Sequence, residues 1–159
     1  MALNSRLLVG KKMAKPNEQM RKNAERGLEL RKEYGRGGTD VGVARARDIS
    51  NNKDLSDSAI KRMYSYFSRH SSNYDKHYGE KENDGGENAF TIAWLLWGGN
   101  AGYSWAKKEV KRINNEEERM MEEEKDISEI VEEIESEEID IEELAEEADE
   151  PEELNFDEE

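Results

Sequence analysis

The sequence predicts an all-α fold: a small bundle of four or five short helices with a glycine-rich turn and a long polar loop, followed by an acidic C-terminal tail. Apolar residues recur at intervals of three and four along most of the chain, which is the spacing of a helix face. No segment alternates apolar and polar residues as a strand does. The 159 residues suffice for one small core.

Charge divides the chain after Asn114. Residues 1–114 contain 22 Lys and Arg against 14 Asp and Glu, a net charge of +8, whereas residues 115–159 contain 2 against 25, a net charge of −23. Eleven of the 12 aromatic residues lie in the first part. We therefore expect a flexible N-terminal arm over residues 1–14, a basic helical domain over residues 15–114 and an acidic tail over residues 115–159.

The composition excludes several classes of protein. The chain has no cysteine, which excludes a disulfide framework, a thiolate zinc site and a cysteine nucleophile. The longest apolar run, residues 92–97, is far shorter than the roughly 20 residues that cross a bilayer. The N-terminal residues also lack the apolar core of a secretory signal. We therefore expect an intracellular protein that does not bind a membrane.

Two helices are predicted before residue 53. Pro16 predicts the first turn of one helix. Its apolar residues recur every fourth position: Met20, Ala24 and Leu28. The glycine-rich turn at residues 35–38 ends this helix, and Thr39 is a suitable N-cap for a second helix that ends at residues 51–52. The second helix carries Val41, Val43, Ala44 and Ile49, with Arg45 and Arg47 between them.

The third helix has the clearest start. Ser56 is a suitable N-cap, and Leu55 and Ile60 occupy the positions of a hydrophobic staple. One face has apolar residues at the 0-3-4-7 spacing: Ile60, Met63, Tyr64 and Phe67. The opposite face carries Lys61, Arg62, Ser65 and Arg69.

The remaining body contains a loop and two more helices. Residues 70–88 are polar and contain glycine, which predicts a long surface loop. Residues 89–97 predict a compact apolar helix that ends at Gly98 and Gly99. A last helix that continues into the acidic tract is marked by Trp105, Ala106, Val110 and Ile113.

No motif predicts catalysis, a metal or a cofactor. Residues 35–39 are rich in glycine and precede a helix, as phosphate-binding loops do, but they lack the P-loop pattern and a preceding strand, so helix capping is the favoured interpretation. His70, Asp75 and His77 match no established metal-ligand spacing. Glutamate pairs in the tail lack the cleft that would separate their pKa values. We expect a protein that is not an enzyme.

A nucleic-acid interface is one hypothesis for the basic domain. The second and third helices resemble a helix-turn-helix, although the connection over residues 50–56 is longer than usual. Five cations would contact double-stranded DNA: Arg45, Arg47, Lys61, Arg62 and Arg69. The alternative is a basic face that serves only solubility. The tryptophans, Trp94, Trp97 and Trp105, fit either a base-stacking platform or, as their apolar neighbours favour, the core.

The acidic tail has two apolar stripes within a composition typical of partly disordered or helical segments. The first contains Ile127, Ile130, Val131 and Ile134, and the second contains Ile141, Leu144, Ala145 and Ala148. Both follow the 0-3-4-7 spacing of an amphipathic helix. These stripes predict binding to a partner protein or to the basic domain of the same chain. A tail that competes with nucleic acid, or that only solubilises the domain, remains an alternative.

Seven segments together resemble a small module of tailed-bacteriophage and prophage proteins. They are GLELR at 27–31, RGGT at 36–39, VGVARARD at 41–48, LS at 55–56, IKRM at 60–63, SYFSRH at 65–70 and AWLLWGG at 93–99. The resemblance covers more than half of the chain, departs most in the loop 71–88, and implies no catalytic activity. It implies a phage setting, in the host cytoplasm or in the virion, with a phage structural protein as the partner of the tail.

Two functions follow as expectations. The first is a non-enzymatic phage accessory protein, associated with the virion or with head assembly, that acts through protein–protein contacts. The second is a DNA-binding regulator or architectural protein of the helix-turn-helix type, whose acidic tail modulates binding.

Overall fold

The computed structural model describes residues 13–148, without the side chains of residues 139–143 and 145–148. Within these residues the fold is all-α apart from two very short strands, as the sequence predicts. The elements in chain order are β1 (Met13–Ala14), α1 (Glu18–Tyr34), α2 (Asp40–Ser50), β2 (Leu55–Ser56), α3 (Asp57–His70), α4 (Tyr74–His77), α5 (Ala89–Leu96) and α6 (Gly99–Ala148). A single 3₁₀ turn, Ser71–Asn73, connects α3 and α4.

The two strands are the element that the sequence pattern did not predict. β1 pairs antiparallel with β2, so that Met13 lies opposite Ser56 and Ala14 opposite Leu55. Segments of two residues are too short to show the alternation that identifies a strand. The last two residues of the expected arm are therefore paired with the body, whereas residues 1–12 lie outside the described part.

Helix ends agree closely with the capping signals. The Thr39 side chain accepts a hydrogen bond from the Gly42 backbone N–H at 3.4 Å, and Ser56 accepts one from Ala59 at 3.2 Å. Gly35 ends α1 in the left-handed conformation, with φ 65°. The start of α1 differs from the prediction, because Asn17 is the N-cap and Pro16 precedes it. The Asn17 side-chain oxygen accepts a hydrogen bond from the Met20 backbone N–H at 2.9 Å, so asparagine and not proline sets the start of the helix.

The core lies where α1 packs against α2 and α5. The closest approach is at Gly27, where an added Cβ would lie 2.7 Å from the backbone nitrogen of Leu96. α3 contributes three fully buried side chains of its predicted apolar stripe, Ile60, Met63 and Phe67. Glycine at this crossing therefore lets the backbones of α1 and α5 approach closely enough to enclose the core.

The segment predicted as a polar surface loop is more ordered than expected. It contains the 3₁₀ turn and α4, and the rings of Tyr74 and Tyr78 stack at 4.5 Å between centroids. Tyr74 also packs at 5.0 Å from Trp94 in the core. Two tyrosines spaced by four residues anchor this segment, a signal that the surrounding polar residues obscured.

Hydrogen bonds from Arg36, which we call the Arg36 clamp, join the end of this segment to the glycine-rich turn. Arg36 donates two hydrogen bonds to the Asp84 carboxylate, at 2.8 and 2.9 Å, and a third to the Glu87 carbonyl oxygen at 2.9 Å. The guanidinium also lies 5.0 Å from the centre of the Tyr34 ring. The hydrogen bonds from Arg36 lower the pKa of Asp84 from 3.8 to about 2.

The chain divides into two units after Asn114. Helix α6 begins in the first unit, where Ala106 and Ile113 are buried, and ends at Ala148 in the second. The prediction that the last helix continues into the acidic tract is therefore confirmed. None of the helices within the described residues is both long enough and apolar enough to cross a membrane.

Candidate functional site: an aromatic groove and an exposed apolar stripe

A candidate site in the described body is a groove of about 680 Å³ between the start of α2, one face of α3 and helix α5. We call it the aromatic groove. Its apolar surface is formed by Val41, Tyr66, Ala89, Phe90, Ala93 and Trp97. A volume of this size is within the range of about 300–1,000 Å³ that is typical of binding sites.

Helix α3 supplies one wall of the groove through a single helical face. Arg62, Ser65, Tyr66 and Arg69 all line it, and they have the 0-3-4-7 spacing. The other face of α3 turns Met63 and Phe67 into the core. The amphipathic pattern of this helix therefore fixes the core packing and the orientation of the groove together.

Stacked aromatic rings form the floor of the groove. The Tyr66 and Trp97 rings are nearly parallel, with 4.7 Å between centroids and 14° between planes. Trp97 is 7% exposed, which makes it a rigid base for Tyr66. Burial raises the pKa of Tyr66 above its usual value, so its hydroxyl stays neutral. The floor is thus flat, uncharged and held in place by the core.

The glycine-rich turn forms one end of the groove. Gly37 and Gly38 have φ values of 96° and 75°, and an added Cβ at Gly38 would lie 2.5 Å from the Leu96 side chain. The turn therefore packs directly on α5. Val41 follows in α2 and is 50% exposed at the groove. The turn supplies the C-cap of α1 and the N-cap of α2, as the sequence predicts, and it also forms one end of the groove.

Two cations lie at the edge of the groove. Arg62 and Arg69 are exposed, and neither has a carboxylate partner within the part of the chain that the structure describes. Arg69 donates one hydrogen bond, at 3.3 Å, to the Ser65 carbonyl oxygen. The His70 ring lies 4.7 Å from the Tyr66 ring. An apolar floor with a cationic edge suits a ligand that is itself apolar and anionic.

The five cations predicted to bind DNA do not line a single cleft. Arg62 and Arg69 line the aromatic groove, whereas Arg47 lines a smaller cleft of about 370 Å³. Arg45 is 16% exposed and pairs with Asp48 at 3.6 Å. Lys61 is exposed outside both clefts. Residues two apart on a helix point about 200° apart, which is why Arg45 and Arg47 separate.

The smaller cleft lies between α1 and α2. Its lining is Leu28, Arg31, Lys32, Val43 and Arg47. Arg31 also donates a hydrogen bond to the Gly37 carbonyl oxygen at 2.9 Å, which fixes its position. The cleft thus combines three cationic side chains with the apolar side chains of Leu28 and Val43. The sequence does not predict this cluster, because two of its cations belong to α1 and the third belongs to α2.

The predicted helix-turn-helix pair is not closely packed. Among the described elements, α2 packs mainly against α1 and α5, and α3 is not among its close neighbours. A DNA-binding helix-turn-helix needs its first helix to support the second. The two helices instead face each other across the aromatic groove through Val41 and Arg62.

The tryptophans are mostly core residues. Trp94 is 3% exposed, and its indole N–H donates to the Asn100 side chain at 2.9 Å. Trp97 is buried beneath Tyr66, and Trp105 is partly buried against the core. Trp94 lines neither cleft, and Trp97 exposes only 7% of its surface at the floor of the groove, so neither ring offers an open face for base stacking. The core interpretation is therefore confirmed for Trp94 and Trp97.

The two histidines contact different aromatic rings. His70 lies against Tyr66, and His77 lies 5.9 Å from Phe90. Within the described residues, no three acidic, histidine or cysteine side chains cluster as metal ligands would.

The second unit presents an exposed apolar stripe, which we call the tail stripe. Its four side chains are between 45% and 54% exposed: Ile127, Ile130, Val131 and Ile134. Helical spacing places the exposed acidic residues Glu133 and Glu135 on either side of it. Of the second predicted stripe, Leu144 is 65% exposed, and the side chain of Ile141 lies outside the described residues.

Five of the seven segments that carry the resemblance contribute residues to the aromatic groove: 36–39, 41–48, 60–63, 65–70 and 93–99. The sequence predicts Arg62 and Arg69 as site residues but not Tyr66, Phe90 or Val41, although Tyr66 lies on the same face of α3 as the two arginines. Neither a protein-family model, nor a curated protein, nor a solved structure matches the chain. The geometry of the groove and the stripe therefore carries the functional proposal.

Proposed function

We propose that the protein is a non-enzymatic bacteriophage accessory protein that acts in head assembly through protein–protein contacts. The observation that carries this proposal is the tail stripe, in which four β-branched residues lie about half exposed on one helix face. The phage setting rests on the resemblance of the body segments. The stripe is the surface through which a structural partner is bound.

Exposure of this stripe is costly unless a partner covers it. Each apolar side chain gains about 1.5–3 kcal/mol on complete burial, and half of that gain remains available to a partner. The 0-3-4-7 spacing matches the anchors that amphipathic helices insert into apolar grooves. The flanking carboxylates exclude partners with an acidic edge, so the partner surface must be apolar with cations around it.

Incorporation into phage particles tests this proposal. Proheads and mature virions of the encoding phage are purified, and their proteins are quantified by mass spectrometry. We expect the chain in proheads, in virions or in both. A variant with Ile127, Ile130 and Ile134 replaced by serine should be lost from the particles, whereas Glu129→Ser with Glu132→Ser on the opposite face should be retained. Absence of the wild-type chain from both particles contradicts the proposal.

A second candidate function is DNA binding by the basic body, with the acidic tail as its modulator. The specific observation in its favour is that Arg62 and Arg69 are exposed without a carboxylate partner in the described chain, while Arg31, Lys32 and Arg47 form a second cationic cleft. Phosphate binding by these cations would release counterions and depend steeply on salt.

A salt series with duplex DNA tests the second candidate. The full chain should bind more weakly as salt rises, and Arg62→Glu with Arg69→Glu should reduce both the affinity and the salt slope. Lys107→Glu with Lys108→Glu is the matched control, since it changes the net charge equally at exposed positions outside both clefts. Binding that is absent at low ionic strength removes this candidate.

A further inference from the structure

We propose that the aromatic groove of one copy binds the tail stripe of a second copy, so that the chain assembles head to tail with itself. This inference rests on the proposed function, because it names the partner of the tail stripe. Both surfaces belong to the same chain, and neither needs a third component. The contact is heterologous, because a groove meets a stripe and not its own equivalent.

The apolar parts of the two surfaces are complementary in kind, because branched aliphatic side chains meet an aromatic floor. Seven residues of helix separate Ile127 from Ile134, which corresponds to about 10 Å along the helix axis. The groove offers about 680 Å³ over a flat floor that includes Tyr66 and Trp97. Rigid aromatic rings suit branched aliphatic side chains, since little side-chain entropy is lost on either surface.

The charged parts of the two surfaces are complementary. Arg62 and Arg69 lie at the edge of the groove and are separated by two helical turns of α3. Glu133 and Glu135 lie on the two sides of the tail stripe. Opposite charges around an apolar contact steer association and fix its register. A stripe–stripe dimer would instead bring the two rows of glutamates together, which opposes pairing of two tails.

The net charges of the two segments also favour contact between the tail of one copy and the body of another. The body segment 1–114 carries +8 and the segment 115–159 carries −23. Copies of the chain therefore attract one another only in an arrangement that places the tail of one near the body of another. A partner with an acidic groove would be repelled by the tail, whereas this groove has cations at its edge.

Sedimentation velocity of the full chain over a concentration series provides the test. The wild-type chain should associate, and association should weaken as salt is added. A groove variant, Arg62→Glu with Arg69→Glu, should raise the dissociation constant at least about tenfold. A tail variant, with Ile127, Ile130 and Ile134 replaced by serine, should do the same. Circular dichroism checks that both variants keep their helices, since all five substituted positions are exposed.

Mixing the two variants makes the test specific. The groove variant keeps an intact tail stripe, and the tail variant keeps an intact groove. Neither should self-associate, but the mixture should form a one-to-one complex in which one intact groove holds one intact stripe. Two control variants keep wild-type association: Lys107→Glu with Lys108→Glu for the groove, and Glu129→Ser with Glu132→Ser for the stripe.

Three results would overturn the inference. A groove variant that still self-associates shows that tails pair with tails, and a tail variant that still does so shows that bodies pair with bodies. A wild-type chain that stays monomeric at every concentration removes self-assembly altogether. In that last case the proposed function still stands if the chain enters proheads through its tail stripe, so the two failures are distinguishable.

Discussion

Helix α3 and the tail stripe carry the same apolar spacing in opposite environments. Ile60, Met63 and Phe67 follow the 0-3-4-7 pattern and are fully buried. Ile127 and Ile134 follow it in the second unit and are 50% and 49% exposed. Periodicity thus identifies a helix and its apolar face equally well in both regions. It does not say what covers that face.

The difference comes from the residues available to cover each stripe. Phe67 makes edge-to-face contacts with Trp94 at 4.8 Å and with Tyr103 at 5.1 Å. The segment 115–159 contains a single aromatic residue, Phe156, and 25 acidic residues. A segment of that composition cannot bury its own apolar stripe. Whether an apolar stripe is buried therefore depends on which other residues the chain provides to cover it.

The largest expected effect is on the buried stripe. Phe67→Ala should lower the free energy of unfolding by about 3–5 kcal/mol, because the ring is fully buried among aromatic neighbours and leaves a cavity. Urea denaturation followed by circular dichroism measures the change. Ser68→Ala, at the next and exposed position, is the control and should stay within about 0.5 kcal/mol. A loss below about 1 kcal/mol for Phe67→Ala would contradict the proposed packing of α3.

The end of α1 and the starts of α2 and α3 were predictable because their capping signals are local, whereas the start of α1 at Asn17 was not. Thr39 and Ser56 accept hydrogen bonds within their own turns, and Gly35 adopts a left-handed conformation that few other residues tolerate. The strand pair and the order in residues 71–88 were not predictable. Both depend on contacts across long sequence distances, such as Arg36 with Asp84.

The second effect concerns the crossing of α1 and α5. Gly27→Ala should destabilise the protein by about 1–3 kcal/mol, because the new Cβ would lie 2.7 Å from the Leu96 nitrogen and 3.0 Å from the Leu95 carbonyl carbon. The sign of the change in the free energy of unfolding is the decisive result. Without a close neighbour, alanine would stabilise a helix interior by up to about 1 kcal/mol. Thermal unfolding of Gly27→Ala is compared with that of Glu25→Ala, an exposed position on the same helix.

The third effect is a pH dependence confined to the body. The pKa of Asp84 lies at about 2 in the folded protein because Arg36 donates hydrogen bonds to its carboxylate. The stabilisation is therefore complete above the ordinary pKa of 3.8 and is lost as the pH falls towards about 2. An NMR titration of the Asp84 carboxyl measures the shift directly. Arg36→Gln should raise this pKa towards 3.8, and a wild-type value already near 3.8 would show that the Arg36 clamp does not form.

The candidate site was only partly predictable from sequence. Arg62 and Arg69 stood out because they share a helix face with Ser65. Phe90 and Val41 did not, because each belongs to a helix whose other large apolar side chains are buried, and the tertiary arrangement alone leaves these two large side chains at the groove. A local pattern thus identifies the charged edge of a binding site more readily than its apolar floor.

The smallest expected effect is on the exposed stripe. Ile130→Ser should change the free energy of unfolding by less than about 0.5 kcal/mol at high dilution, because Ile130 is 54% exposed and the two residues have similar helix propensities. Urea denaturation with the protocol used for Phe67→Ala makes the two stripes directly comparable. A loss of more than about 1 kcal/mol would show that another part of the same chain covers Ile130, which removes the contrast between the stripes. A difference in stability that appears only at high protein concentration would instead reflect lost association. Association stabilises the folded wild-type chain in proportion to the logarithm of partner concentration, and the variant would lack that gain. The dilution series therefore separates a stripe that serves folding from one that serves assembly.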